Sequence, residues 1–161
     1  TPTNSPRSAT IVSASGTSQT IPLPPGATSS EGVDVNARNQ FLLSTTGAGL
    51  GSSIWYKGSN TFRQLADPIG GRWLIAPSRF NDIGDVVGLG ITISAPIPEP
   101  MLWVIDTGYT FRELLGGAYP AGWTAMGHPL AINDNGYILG FGTHNGQQKY
   151  FVMKPVGLWH P

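Results

Sequence analysis

The chain has 161 residues, enough for a domain with a substantial buried core. Only 11% of the residues are charged, and nine basic and nine acidic side chains cancel, so no electrostatic footprint for nucleic acid or an anionic membrane is present. The absence of cysteine excludes disulfides, a thiol nucleophile and cysteine-ligated zinc, and the sequence lacks the apolar run of about 18 residues that a membrane-spanning helix needs.

The composition favours an all-β fold. Twenty-two glycines and fourteen prolines supply many turn formers, and serine, threonine and aromatic residues are frequent. No segment keeps a helical period of useful length. We therefore predict short antiparallel strands joined by tight turns.

The first 30 residues are rich in serine, threonine, proline and glycine. The sequence starts at Thr1 rather than methionine and shows no apolar signal core. Either a targeting segment has been removed or the sequence begins inside a longer protein. Such a lead-in is common in exported proteins, and a flexible surface edge is the simpler interpretation.

A short motif then occurs three times: Asn, Asp or Ala, any residue, Gly or Asn, any residue, and two apolar residues. Its copies are "NARNQFLLS" from Asn36, "NDIGDVVGL" from Asn81 and "NDNGYILGF" from Asn133. An asparagine at the first position can cap main-chain N–H groups two residues on, so each copy predicts a hairpin turn.

The fourth position of the motif predicts a left-handed residue that forms a bulge. Gly84 and Gly136 occupy it in two copies, and Asn39 occupies it in the first. Asparagine tolerates a positive φ best among the other residues, so this exchange favours a turn over a ligand site.

A second hairpin pattern also repeats, with a tryptophan in its first strand. It comprises "IWYKGSNTFRQL" (54–65) and "LWVIDTGYTFREL" (102–114), a polar version at 10–23 and a half copy at 149–157. We predict about three four-stranded antiparallel propeller-like repeats plus an extra terminal strand. The predicted units are residues 8–48, 50–97 and 99–146, with a partial fourth unit at 148–157 in one 1–161 domain.

The segments "MLWVIDTG", "LLGG", "LAINDNGYILGFG" and "RFNDIGDVVGLG" resemble the HAF repeat of predicted bacterial extracellular repeat proteins. The resemblance covers about residues 50–155 well and 8–48 loosely. The first copy lacks the Trp, Asp and Gly of the pattern, and "KYF" and "PML" stand in place of the name-giving His-Ala-Phe. The resemblance implies propeller-like β-repeats and an exported protein, and little about chemistry.

The motif carboxylates Asp82 and Asp134 lack the further acidic ligands of a calcium loop, so we interpret them as turn residues. The three histidines have no zinc-ligand spacing, no G-x-S-x-G elbow occurs, and no carboxylate pair resembles a glycosidase. We therefore expect no metal, no cofactor and no catalysis.

Aromatic residues between the hairpins are the candidate binding residues. Trp73 and Trp123 lie in the Gly/Pro-rich segments "ADPIGGRWLIAP" and "LGGAYPAGWTAMGHP", with Arg72 and Tyr119 nearby. Rim loops of this kind commonly carry binding functions, and these side chains would suit a sugar or a peptide. The alternative is that each tryptophan fills a gap between repeats.

Taken together, these patterns predict a non-catalytic interaction or assembly module outside the cell or on its surface. Its partners would be copies of itself, other blades of a longer protein, a glycan or a surface protein. The alternatives are a filament or ring subunit assembled by strand exchange and a secreted hydrolase. Three units cannot close a propeller, so residues 9–14 or 149–154 would complete another chain's sheet.

Overall fold

The computed structural model of the chain describes residues 6–47, 51–67 and 70–156. In these residues the fold is all-β, as predicted, with one helical turn. The elements are β1 Thr10–Val12, β2 Ser18–Thr20, β3 Ala27–Val35, β4 Gln40–Gly47, β5 Ser52–Tyr56, β6 Thr61–Gln64, β7 Ala66–Asp67, β8 Arg72–Phe80, β9 Val86–Thr92, β10 Ala95–Val104, β11 Thr107–Thr110, α1 Phe111–Leu114, β12 Trp123–Ile132, β13 Ile138–His144 and β14 Gln147–Met153.

The strands form one small hairpin and three larger sheets, and all their pairings are antiparallel. Strands β1 and β2 form the cap hairpin. Sheet I has the order β3-β4-β5-β6, sheet II has β11-β10-β9-β8-β7, and sheet III has β12-β13-β14. Neighbouring strands are therefore also neighbours along the chain, which is the simplest arrangement of an antiparallel sheet.

The sheets divide the chain at other points than the predicted units. In each sheet the motif turn joins the first two long strands; the third long strand is β5, β10 or β14, and β5 and β10 carry the repeated tryptophans Trp55 and Trp103. The segment 149–154, predicted as an extra terminal strand, lies largely in β14, which pairs with β13 inside sheet III. Residues 48, 50 and 157, at the ends of the predicted units, lie outside the described residues.

The two copies of "TFR-x-L" fold differently, which corrects the prediction of a strand at both. The first is strand β6, whereas the second is helix α1. A tight turn at Ile105, which has φ 52°, leads directly into β11, and β11 ends at Thr110. The Thr110 hydroxyl then accepts from the Glu113 N–H while the Glu113 carboxylate accepts from the Thr110 N–H. This capping box starts a helix where the first copy continues as a strand.

The core consists of three layers of buried side chains between the sheets. The cap cluster joins the cap hairpin to sheet I, the first inter-sheet cluster joins sheets I and II, and the second joins sheets II and III. Their buried members are respectively Ile21, Leu43 and Trp55; Leu42, Ile54, Leu65, Leu74, Phe80, Val86, Met101 and Trp103; and Val87, Leu102, Val104, Phe111, Met126, Ile138 and Phe151.

Sheet II is buried on both faces. Val86 packs in the first inter-sheet cluster and its neighbour Val87 in the second, because successive side chains of a strand point to opposite faces. On β10, Trp103 likewise packs in the first inter-sheet cluster and Leu102 in the second. Sheet I is likewise covered on both faces, by the cap hairpin and by sheet II. Sheet III packs on sheet II with one face, and we call its opposite face the outer face.

Candidate interaction surface

The three motif turns share one local geometry. In each, the turn asparagine accepts a main-chain hydrogen bond from the residue three positions on, with N···O distances of 3.1, 3.2 and 3.0 Å. The donors are Asn39, Gly84 and Gly136, which have φ of 56°, 92° and 76°. These values lie in the left-handed region expected of the turn. The asparagine Oδ1 also accepts from the N–H four residues on in every copy.

Successive turns are also hydrogen-bonded to each other. The Asn36 side-chain amide donates to the main-chain carbonyl of Asn81 at 3.1 Å. The Asn81 amide donates to the carbonyl of Asn133 at 3.2 Å. The same contact thus recurs between sheets I and II and between sheets II and III, over sequence separations of 45 and 52 residues.

The motif aspartates complete this ladder in the opposite direction. Asp82 accepts from the main-chain N–H of Ala37, and Asp134 accepts from the N–H of Asp82, both at 2.8 Å. Each aspartate therefore binds the turn of the preceding sheet. The sequence interpretation of Asp82 and Asp134 as local turn residues missed this role. The sequence carries one sign of this role. Only the first copy has no preceding motif turn to bind, and it is the copy with alanine, Ala37, in place of the aspartate.

The ladder ends at the third turn. Within the described part of the chain, neither the Asn133 side-chain amide nor the Asp134 main-chain N–H has a hydrogen-bond partner. Asn81 is 4% exposed, whereas Asn133 and Asp134 are exposed to solvent. The donor groups that bind the next turn in the first two copies are therefore free and accessible in the third.

An aliphatic cross-strand pair shows the same difference between the sheets. The residue six positions after the turn asparagine pairs with one residue on the third long strand of its sheet. These pairs are Leu42 with Ile54, Val87 with Leu102, and Leu139 with Val152. The first two pairs are at most 1% exposed, because they pack on the following sheet. In the third pair, Leu139 is 39% and Val152 63% exposed.

An aromatic row crosses all three strands of sheet III beside this pair. His128 stacks on Phe141 with ring centroids 4.8 Å apart, and Phe141 meets Tyr150 edge to face at 6.4 Å. Tyr150 is 75% exposed. Phe141 lies two residues beyond Leu139, on the same side of β13. The outer face therefore presents an aromatic row and an aliphatic pair to solvent, next to the open end of the ladder.

The predicted binding residues do not converge on one site. Trp73 and Arg72 lie on β8, and Trp123 begins β12, which corrects their placement in rim loops. Trp123 contacts His144 at 5.1 Å and Phe151 edge to face at 5.6 Å between ring centroids, so it packs on the second inter-sheet cluster. Strands β8 and β12 begin inside the Gly/Pro-rich segments, and Pro77 and Pro129 within them still pair with Gly88 and Gly140.

Arg72 and Tyr119 each have a partner within the fold. Arg72 donates to the Gly108 carbonyl and forms an ion pair with Glu113, with 2.6 Å between Nη2 and Oε1. Partial burial raises the pKa of Glu113, but hydrogen bonds from Thr110 and the Arg72 guanidinium more than offset this and hold the pKa below its ordinary value. The Arg112 guanidinium lies 5.2 Å from the Tyr119 ring centroid.

Two open grooves adjoin sheet III. One, of about 360 Å³, runs along the C-terminal part of β14 and is lined mainly by apolar side chains, including Leu115, Trp123 and Val152. The other, of about 480 Å³, lies between the start of β10 and β12 and includes Ile97, Tyr119 and His128. The grooves therefore do not bring the predicted binding residues together. Trp123 lines the groove along β14, Tyr119 lines the groove between β10 and β12, and Arg72 lines neither.

The described residues contain no group of three or more histidine, aspartate or glutamate side chains that could hold a metal ion. In the same ranges, the sole helix is the single turn α1, far too short to cross a membrane. No protein-family model and no curated protein sequence matches the chain.

Proposed function

We propose that the protein is a non-catalytic β-repeat assembly module that binds a protein partner through the outer face of sheet III. The observation that carries this proposal is the exposure of Leu139 and Val152, whose counterparts in sheets I and II are buried by the next sheet. Fully burying an aliphatic side chain contributes about 1.5–3 kcal/mol, and covering the exposed parts of Leu139 and Val152 would contribute a corresponding fraction of this toward association.

The chemistry of the motif supports a structural role for its polar residues. The carboxylates of Asp82 and Asp134 accept main-chain hydrogen bonds from a neighbouring turn. These carboxylates therefore join neighbouring sheets by accepting hydrogen bonds. The turn asparagines join the same sheets by donating from their side-chain amides. The Ser/Thr/Pro-rich lead-in and the resemblance to HAF repeats support a location outside the cell or on its surface.

Sedimentation velocity over a range of concentrations tests the proposal. In the absence of its partner we expect the chain to self-associate weakly at high concentration, outer face against outer face, and Val152→Glu to abolish this association. Val12→Glu is the matched control, because Val12 is 67% exposed on the cap hairpin at the other end of the stack of sheets. A monomer at every concentration, or equal effects of both substitutions, would contradict the proposal.

A second ligand class is favoured by the aromatic row. Exposed tyrosine and histidine rings on a flat sheet face can stack on a sugar ring. If the ligand is a carbohydrate, glycan binding will be lost on Tyr150→Ala and kept on Tyr109→Ala, since Tyr109 lies on β11 and is 38% exposed. A glycan array with both variants distinguishes this class from a protein partner.

A further inference from the structure

We infer that the partner of the outer face is a β-unit that carries an Asn-Asp-x-Gly turn, and that this turn continues the hydrogen-bond ladder beyond Asn133. The inference rests on the proposed function and specifies its partner. The Asn133 amide would donate to the main-chain carbonyl of the partner's asparagine. The Asp134 N–H would donate to the carboxylate of the partner's aspartate.

The two internal junctions of the chain define what the open end accepts. Each contains one amide-to-carbonyl bond of 3.1–3.2 Å and one N–H-to-carboxylate bond of 2.8 Å between consecutive turns. The third turn presents the same two donors, without a partner in the described residues. The complementary group is therefore an asparagine carbonyl followed directly by an aspartate carboxylate.

The aliphatic surface fits the same partner. At both internal junctions the pair six residues after the turn asparagine is covered by the next sheet. Leu139 and Val152 lie at this position beside the open turn. A β-unit docked in the same register would cover the pair and the turn together, as sheet III covers Val87 and Leu102 on sheet II.

A second copy of this chain fits less well as the partner. Its first turn has Ala37 where the ladder needs an aspartate, so it cannot supply the carboxylate. The sheet I face that would dock is already covered by the cap hairpin through Ile21, Leu43 and Trp55. In its other two motif turns, the asparagine carbonyl and the aspartate carboxylate already accept hydrogen bonds inside their own chain.

The test uses the ¹⁵N-labelled full chain and a cyclised hairpin peptide with the sequence of residues 131–140, which contains the Asn-Asp-Asn-Gly turn. We expect the Asp134 main-chain amide and the Asn133 side-chain amide to show the largest shifts on titration. A peptide with Asp134→Ala, which imitates the first turn of the chain, should bind roughly tenfold more weakly, because it lacks a charge-assisted hydrogen bond.

Two variants of the full chain separate the ladder from general charge effects. Asn133→Asp keeps the Oδ1 that caps its own turn but removes the donor, and should weaken peptide binding roughly tenfold or more. Asn135→Asp adds the same charge in the same turn and should leave the affinity within about twofold, since its side chain has no place in the ladder.

The outcomes distinguish the inference from the proposed function. Equal binding of the Asp and Ala peptides, both abolished by Val152→Glu, would overturn the ladder and leave the interaction face standing. Shifts as large with unlabelled chain as with peptide would make a second copy the partner and overturn the inference. A chain that binds neither peptide and stays monomeric would overturn both.

Discussion

Asn81→Asp exchanges one NH2 group for an oxygen and should severely destabilise the protein. The Asn81 amide, 4% exposed, donates to Asp85 Oδ2 at 3.1 Å and to the Asn133 carbonyl at 3.2 Å. Both contacts would become approaches between two oxygens, and the new carboxylate would lie beside the buried Asp85. Placing an unpaired charge in such a network costs about 3–5 kcal/mol, a large share of the stability of a typical domain.

Urea denaturation followed by tryptophan fluorescence measures this cost, with Asn133→Asp as the matched control. Asn133 is exposed and its amide has no acceptor in the described residues, so its substitution should change stability by about 0.5 kcal/mol or less. Burial raises the pKa of the carboxyl introduced at position 81, and a protonated carboxyl can donate again, so its penalty should shrink as the pH falls. Equal destabilisation by both substitutions would refute the ladder.

Three further outcomes are expected. Gly84→Val or Gly136→Val should cost about 1–3 kcal/mol because valine is strained at positive φ, while Asn39→Gly should be neutral or mildly stabilising; a neutral Gly136→Val in thermal melts would contradict the turn geometry. Dialysis against a chelator should leave the melting temperature unchanged, and a drop reversed by calcium would revive the motif carboxylates as ligands. Because the pKa of Glu113 is lowered in the fold, its ion pair with Arg72 stabilises above the ordinary carboxyl pKa of 4.5 and is lost as the pH falls through the folded value. The small stability difference between the wild type and Glu113→Gln should therefore vanish in acid, and a difference that grows there would contradict this sign.

The sequence alone was sufficient for the three motif turns, although not for the capping box that makes 111–114 a helix. Asparagine at the first motif position and Gly or Asn at the fourth constrain the backbone within five residues, so the turns follow from residue types. The division into sheets could not be read in the same way. A hairpin pattern shows that two strands pair, but it does not show which neighbouring hairpin extends the sheet, because that depends on packing between distant segments.

The placement of Trp73 and Trp123 in loops was wrong for a related reason. Glycine and proline around Trp73 and Trp123 predicted loops, whereas β8 and β12 run through both positions. The interaction surface itself has ordinary apolar residues. Leu139 and Val152 become informative only by comparison with their buried counterparts, which requires the three-dimensional register.

The stack of sheets has a direction, because its two ends differ in chemistry. At one end the turn has Ala37 instead of an aspartate, and the cap hairpin covers the apolar face of sheet I. At the other end the donors of Asn133 and Asp134 are exposed beside an uncovered aliphatic pair. The cap hairpin covers the apolar face of sheet I, while the open face of sheet III keeps the features that join consecutive sheets. If the proposed partner docks on the outer face, association is directional, because within the described residues the cap hairpin covers the face of sheet I and the donors of the third turn are open.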